Sequence, residues 1–228
     1  MRIACSRIET QINLEPDRPV VLNVESPREY YRLVDQLIAA FNGEESDFSF
    51  WKDDLQLRSD KSGEIITDLF SFSLTDKKII SLLYKSLQRN FMEGDLLLRF
   101  GEMSAGIEKF LEELCSTENF MLEYSPIDLE ALLKICSVRP IEAYDSLLEK
   151  IVCYINLLDQ LKNIDFFIFV GLKKVLTDED LKMLYRHCRL QKIALLLIEG
   201  KNVRPILAEE KAITITEDLC EYVENFRI

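Results

Sequence analysis

Two short runs of wholly apolar residues, Phe166 to Val170 and Ile193 to Ile198, constrain the architecture more tightly than any other part of the chain. Neither alternates apolar with polar residues, so each reads as a strand covered on both faces rather than one facing water. Between them Thr177 stands where a helix cap belongs, and the helix it opens runs to about Leu190. The second strand covers Lys192 to Ile198. Strand, helix, strand in so short a stretch implies two parallel strands joined by a right-handed crossover.

The amino-terminal part predicts short strands over Ile3 to Ile8, Gln11 to Leu14 and Val20 to Val24. Ser26 then caps a helix with Pro27 in its first turn and Glu29 placed to complete a capping box. That helix runs to about Phe41 and stops at Asn42-Gly43. Alternating Phe48 and Phe50, Leu55 and Leu57, and later Ile213 and Ile215 predict further strands. A strand-helix-strand order near the amino terminus implies a second parallel crossover, so the sheet is built from both ends of the chain.

The middle is helical. Ile80, Leu83, Leu87 and Phe91 share one helical face, as do Phe100, Ile107, Leu111 and Leu114, with a break at Glu93-Gly94 between the two helices. Ser125-Pro126-Ile127-Asp128 starts a shorter helix ending near Cys136, and Tyr144 to Asn163 carries a stripe of Leu147, Leu148, Ile151, Ile155, Leu158 and Leu161. The expected class is α/β: a head with a mixed-to-parallel sheet from residues 1–70 and 150–228, and an inserted helical leg from 71–149.

Such a head invites comparison with nucleotide-binding folds, which need glycines, Lys and Ser/Thr around phosphate. Here the turn reads Val24-Glu25-Ser26-Pro27, and Gly171-Leu172-Lys173 has too few glycines, so no nucleotide cofactor is expected. His187 is the single histidine and reads as a surface or interface residue before a catalytic one, with Cys188 an equally remote nucleophile. The six cysteines lack paired metal-ligand spacing and read as small buried hydrophobes in a reducing compartment. Asp178-Glu179-Asp180 resembles a metal cluster but suits a helix N-terminus better, and Glu112-Glu113 and Glu209-Glu210 read as solvated faces. Tyr30-Tyr31 between Arg28 and Arg32 reads either as an aromatic-basic nucleic-acid patch or as ordinary packing with snorkelling arginines. The start of the chain shows no signal-peptide stretch, and no apolar run could span a bilayer, so a cytoplasmic protein without a membrane is expected.

Charge narrows the partners. A net charge of -12 opposes casual contact with DNA, yet Lys173 to Arg204 holds eight bases against four acids, and Lys52 to Arg89 seven against six. A DNA-binding surface would have to come from these two stretches.

Several segments, taken in order, resemble one family. They are Glu64-Ile65-Ile66-Thr67-Asp68-Leu69, the helix Lys78 to Phe91, Leu122-Glu123-Tyr124 leading into Ile127 to Lys134 and Val138, then Phe167-Ile168-Phe169-Val170, Leu176-Thr177-Asp178-Glu179 and Ala194 to Glu199. This order is similar to the Csn-type ring proteins of type II-A CRISPR spacer acquisition, up to Glu199. The resemblance implies an α/β head like a P-loop fold without its phosphate loop, and a helical leg. It further implies four copies in a ring that threads onto double-stranded DNA ends, no catalysis, and partnership with the integrase proteins and the effector nuclease.

It also implies calcium, a cation that takes hard oxygen ligands. Glu118, Glu123, Asp128 and Glu130 are the acids available near the family's acidic motif, though Met121, Ser125 and Pro126 stand where relatives often carry carboxylates. Asp128 is explained equally well as a helix cap. Together with the base-rich stretches, the resemblance makes Lys52, Arg58, Lys61, Lys77, Lys78, Lys173 and Lys174 the candidates for phosphate contact without base reading. The competing expectation is an acidic protein-interaction scaffold that bridges integrase and nuclease without touching DNA.

Overall fold

A computed structural model describes residues 1–92, 95–201 and 205–225. The chain runs through β1 (Arg2–Cys5), β2 (Ile8–Asn13), β3 (Val20–Val24), α1 (Pro27–Asn42), β4 (Phe48–Lys52), β5 (Leu55–Leu57), the single turn α2 (Ser59–Ser62) and β6 (Gly63–Ile66). Then come α3 (Lys77–Phe91), α4 (Leu96–Cys115), α5 (Leu129–Ile135), α6 (Leu147–Lys162), β7 (Phe166–Val170), α7 (Asp178–Leu190), β8 (Ala194–Gly200), β9 (Lys211–Ile215) and β10 (Glu221–Asn225). Two compact units result: residues 1–73 with 143–228, and residues 74–142.

The α/β class holds, with a mixed sheet. In the first unit six strands lie in the order β10-β9-β3-β8-β7-β6, parallel except for the antiparallel β10. The apolar run of β7 pairs on both sides, and Phe166, Phe167, Ile168 and Phe169 are all fully buried, as a strand covered on both faces requires. One face of this sheet, through Val20, Leu22, Phe166, Ile168, Leu196, Ile198 and Ile213, packs into a core with Leu33 and Leu37 of α1. On the other face the α6 ring of Tyr154 meets Phe167 edge-on at 6.4 Å. Gly63 has a steric cause: a Cβ there would fall 2.3 Å from Phe166 Cζ, and that ring is itself stacked on Phe50 at 5.6 Å.

Four features depart from the sequence reading. The first hairpin turns at Ser6-Arg7, so β1 ends at Cys5 and β2 starts at Ile8, because Ile8, Ile12 and Leu14 must reach the core on one alternation. No parallel crossover joins β3 to β4: β4 belongs to a separate antiparallel sheet, ordered β2-β1-β4-β5, whose Ile3, Phe48 and Phe50 close the same core. Helix α6 starts at Leu147 rather than Tyr144, since the Ser146 hydroxyl accepts from the Glu149 N–H at 3.1 Å. Glu29 closes no capping box; its carboxylate turns to Arg7 at 2.7 Å, which holds it below the usual carboxylate range.

In the second unit α3 buries Ile79 and Tyr84, and Phe91 meets Phe100 of α4 edge-on at 5.3 Å. The expected break at Glu93-Gly94 lies outside the described residues. No described helix is long and apolar enough to cross a membrane.

Candidate functional site

The second unit holds a cavity of about 530 Å3 between one face of α3 and the end of α5. Helical spacing places Lys77, Ser81, Lys85 and Gln88 on the α3 wall, with Ile80 and Tyr84 beside them. Helix α5 is capped by Asp128, whose carboxylate accepts from the Ala131 N–H at 2.6 Å. It ends where Ser137 takes a left-handed conformation (φ 50°) and the Val138 N–H reaches the Leu133 carbonyl at 3.0 Å. That turn sets Ser137, Val138 and Arg139 into the opposite wall with Lys134 and Glu130.

Internal bonds fix the two walls. The Tyr84 hydroxyl donates to the Leu133 carbonyl at 3.1 Å, and the Gln88 amide to Glu130 at 3.2 Å. Glu130 also pairs with Lys134 at 2.7 Å, and this bond lowers the carboxyl pKa and raises that of the ammonium. Glu130 is thus already neutralised, whereas Lys77, Lys85 and Arg139 have no ion-pair partner among the described residues. In a chain of net charge -12 the cavity is locally cationic.

Of the sequence-predicted bases, Lys77 lines this cavity, and Lys78 is exposed on the first turn of α3. The others lie in the first unit. Lys52 pairs with Asp165, Arg58 with Asp60 at 3.0 Å, and Lys61 and Lys174 are exposed. Lys173 is a correction: it is 1% exposed, its ammonium held by Glu210 at 2.7 Å and the Pro205 carbonyl at 3.3 Å, and no phosphate can reach it. Glu210 corrects the reading of Glu209-Glu210 as a solvated face, for it is fully buried and also accepts from the Tyr185 hydroxyl at 2.6 Å. Lys85, Lys134 and Arg139 were missed. The spacing Lys77, Ser81, Lys85 was a readable signal, while Lys134 and Arg139 join it only through the packing of α5.

The four carboxylates considered for calcium do not fit that ion as they stand. Asp128 caps α5, and Glu130 is engaged by Lys134 and Gln88. Glu118 and Glu123 are exposed, and among the described residues no three His, Cys, Asp or Glu side chains come together as metal ligands. Hard-cation sites need several oxygens on one centre.

The nucleophile candidates resolve as structural parts. His187 on α7 bonds Asn156 of α6 at 2.8 Å. Burial pushes the Cys188 thiol up to about 12, so it stays protonated. Only Cys5 and Cys188 are buried; Cys136 and Cys220 are exposed, which corrects the reading of the thiols as core residues. Asp180 closes a capping box with Thr177. Tyr30 packs against the core while Tyr31 is exposed, and Arg32 approaches Glu29 at 3.6 Å.

Comparison with known proteins gives the family. Residues 40–219 match the family described as CRISPR-associated protein (Cas_Csn2). A curated relative, "CRISPR-associated protein Csn2" of Streptococcus agalactiae, is 24% identical over 140 residues. The match spans 61% of this chain and 63% of that relative, under two thirds of its length. The chain belongs to the Csn2 family of CRISPR-associated proteins.

Proposed function

We propose that the chain is a non-enzymatic, ring-forming protein that binds double-stranded DNA ends without sequence preference during CRISPR spacer acquisition, alongside the integrase proteins and the effector nuclease. The observation that carries this reading is the cationic cavity of the second unit in an otherwise acidic protein. Bases gathered on its two walls would contact phosphates, which fix position and carry no sequence information.

Self-association is supported by α4. None of its 20 residues is buried, and Leu96, Leu97, Leu98, Phe110 and Leu114 are each exposed. A surface of that kind calls for cover by another chain.

The test is retention of linear against closed circular DNA at matched salt, with mass by light scattering. Preferential retention of linear DNA by a multimer supports the proposal. Equal retention of the two forms refutes threading, a monomer refutes the ring, and no retention at low salt favours the scaffold.

A further inference from the structure

We infer that the cavity between α3 and the end of α5 takes up a single nucleotide unit, a nucleoside 5′-monophosphate group. The inference rests on the DNA-binding reading and deepens it by naming what enters the site.

The cavity is larger than its charges require. The recess is open to solvent, so phosphates on the outside of a duplex can reach its rim, and its volume of about 530 Å3 is also in the range of sites that take up a small molecule. One residue of a strand fits that space.

The lining has two kinds of chemistry side by side. Lys77, Lys85 and Arg139 supply positive charge, and the planar guanidinium of Arg139 suits a phosphate, which it can bind through two parallel hydrogen bonds. Ile80, Tyr84 and Val138 supply apolar surface for a base, and Ser81, Gln88 and Ser137 supply the hydrogen-bonding groups that orient one. A bare anion would use only the first set. An apolar ligand would leave the cations without purpose. A nucleotide uses both.

The walls are also set before any ligand arrives. The Tyr84–Leu133 bond ties α3 to the end of α5, and the Gln88–Glu130–Lys134 chain closes one side. Little ordering therefore remains to oppose binding. The same chemistry comes from two sources, a free nucleotide or the frayed 5′-phosphorylated end of a DNA strand.

The test is calorimetric titration of the full chain with deoxyadenosine 5′-monophosphate, deoxyadenosine and inorganic phosphate. The monophosphate is expected to bind about tenfold or more tighter than either fragment, since base stacking and phosphate contact act together. Ser81→Trp fills the cavity from an exposed helix position without changing charge, so it should abolish this binding.

Competition separates the sources. A duplex with a 5′-phosphorylated overhang that displaces the monophosphate, where the dephosphorylated overhang does not, identifies the DNA end. No displacement identifies the free nucleotide. Equal binding of monophosphate and phosphate, or a Ser81→Trp variant that binds as well as the parent, overturns the inference. Loss of duplex retention with monophosphate binding intact would instead overturn the DNA reading alone.

Discussion

Removing Lys85 and Arg139 together should change how DNA binding responds to salt, by an amount that the ion pairing of the cavity fixes. Within the cavity Lys134 is already paired with Glu130, which leaves Lys77, Lys85 and Arg139 as its cations able to displace counterions from phosphate. At about 0.9 per neutralised phosphate, three contacts give a slope of about -2.7 for log affinity against log salt, per protomer. Between 50 and 200 mM salt that slope costs about 40-fold in affinity, and the Lys85→Ala/Arg139→Ala variant, with a slope of about -0.9, should lose only about 3.5-fold. Fluorescence anisotropy with two unrelated duplex sequences, titrated at four salt concentrations, measures both slopes. The two sequences should give the same slope, because phosphate contacts read no bases. A variant slope equal to that of the parent would refute the assignment of these residues to DNA.

Three further outcomes follow from the packing. Gly63→Ala drives a methyl into Phe166, whose ring is held by Phe50 and Phe41, and should cost about 1–3 kcal/mol, read as a lower Tm by calorimetry. An unchanged Tm would show that the ring can move aside. Lys173→Met leaves Glu210 buried and without its cation and should cost about 3–5 kcal/mol, whereas a much smaller loss in a denaturant titration would show that Tyr185 and the Leu207 N–H suffice. Burial raises the Glu199 pKa, so its contribution is present below its unfolded value and is lost as pH rises through the folded value. Glu199→Gln should therefore gain stability over the parent as pH rises, measured by thermal melts across pH, and parallel curves would contradict the sign.

How much of this was legible depends on how local each cause is. The β7-α7-β8 unit could be read because an unbroken apolar run and a capped helix report their own environment. The two-sheet division could not, since alternation at Phe48 and Phe50 is the same whether β4 extends the large sheet or faces it from another. The edge strand β10 has too little apolar sequence to announce itself; its place comes from pairing with β9. Lys173 and Glu210 misled for a different reason. Such residues are almost never fully buried unless paired, and the pair spans 37 positions, so each alone looks like a surface charge. The cavity was half visible: Lys77, Ser81 and Lys85 recur every four residues, but Lys134 and Arg139 depend on where Tyr84 anchors α5.

The remaining tension is between a net charge of -12 and a polyanionic ligand, and distance decides it. At physiological ionic strength a charge is screened within about 8 Å, so acids beyond that range scarcely weaken a phosphate already inside the cavity. They act instead on the approach, where like charge slows encounter with nucleic acid over the rest of the surface. On the proposed reading, net charge bears on how often and where DNA meets this protein, and the cations of the cavity on whether it stays. Glu130, in direct contact with Lys134, is the carboxylate that lines the site. On that reading an acidic chain with a cationic recess is selective for position on its own surface through phosphate contact.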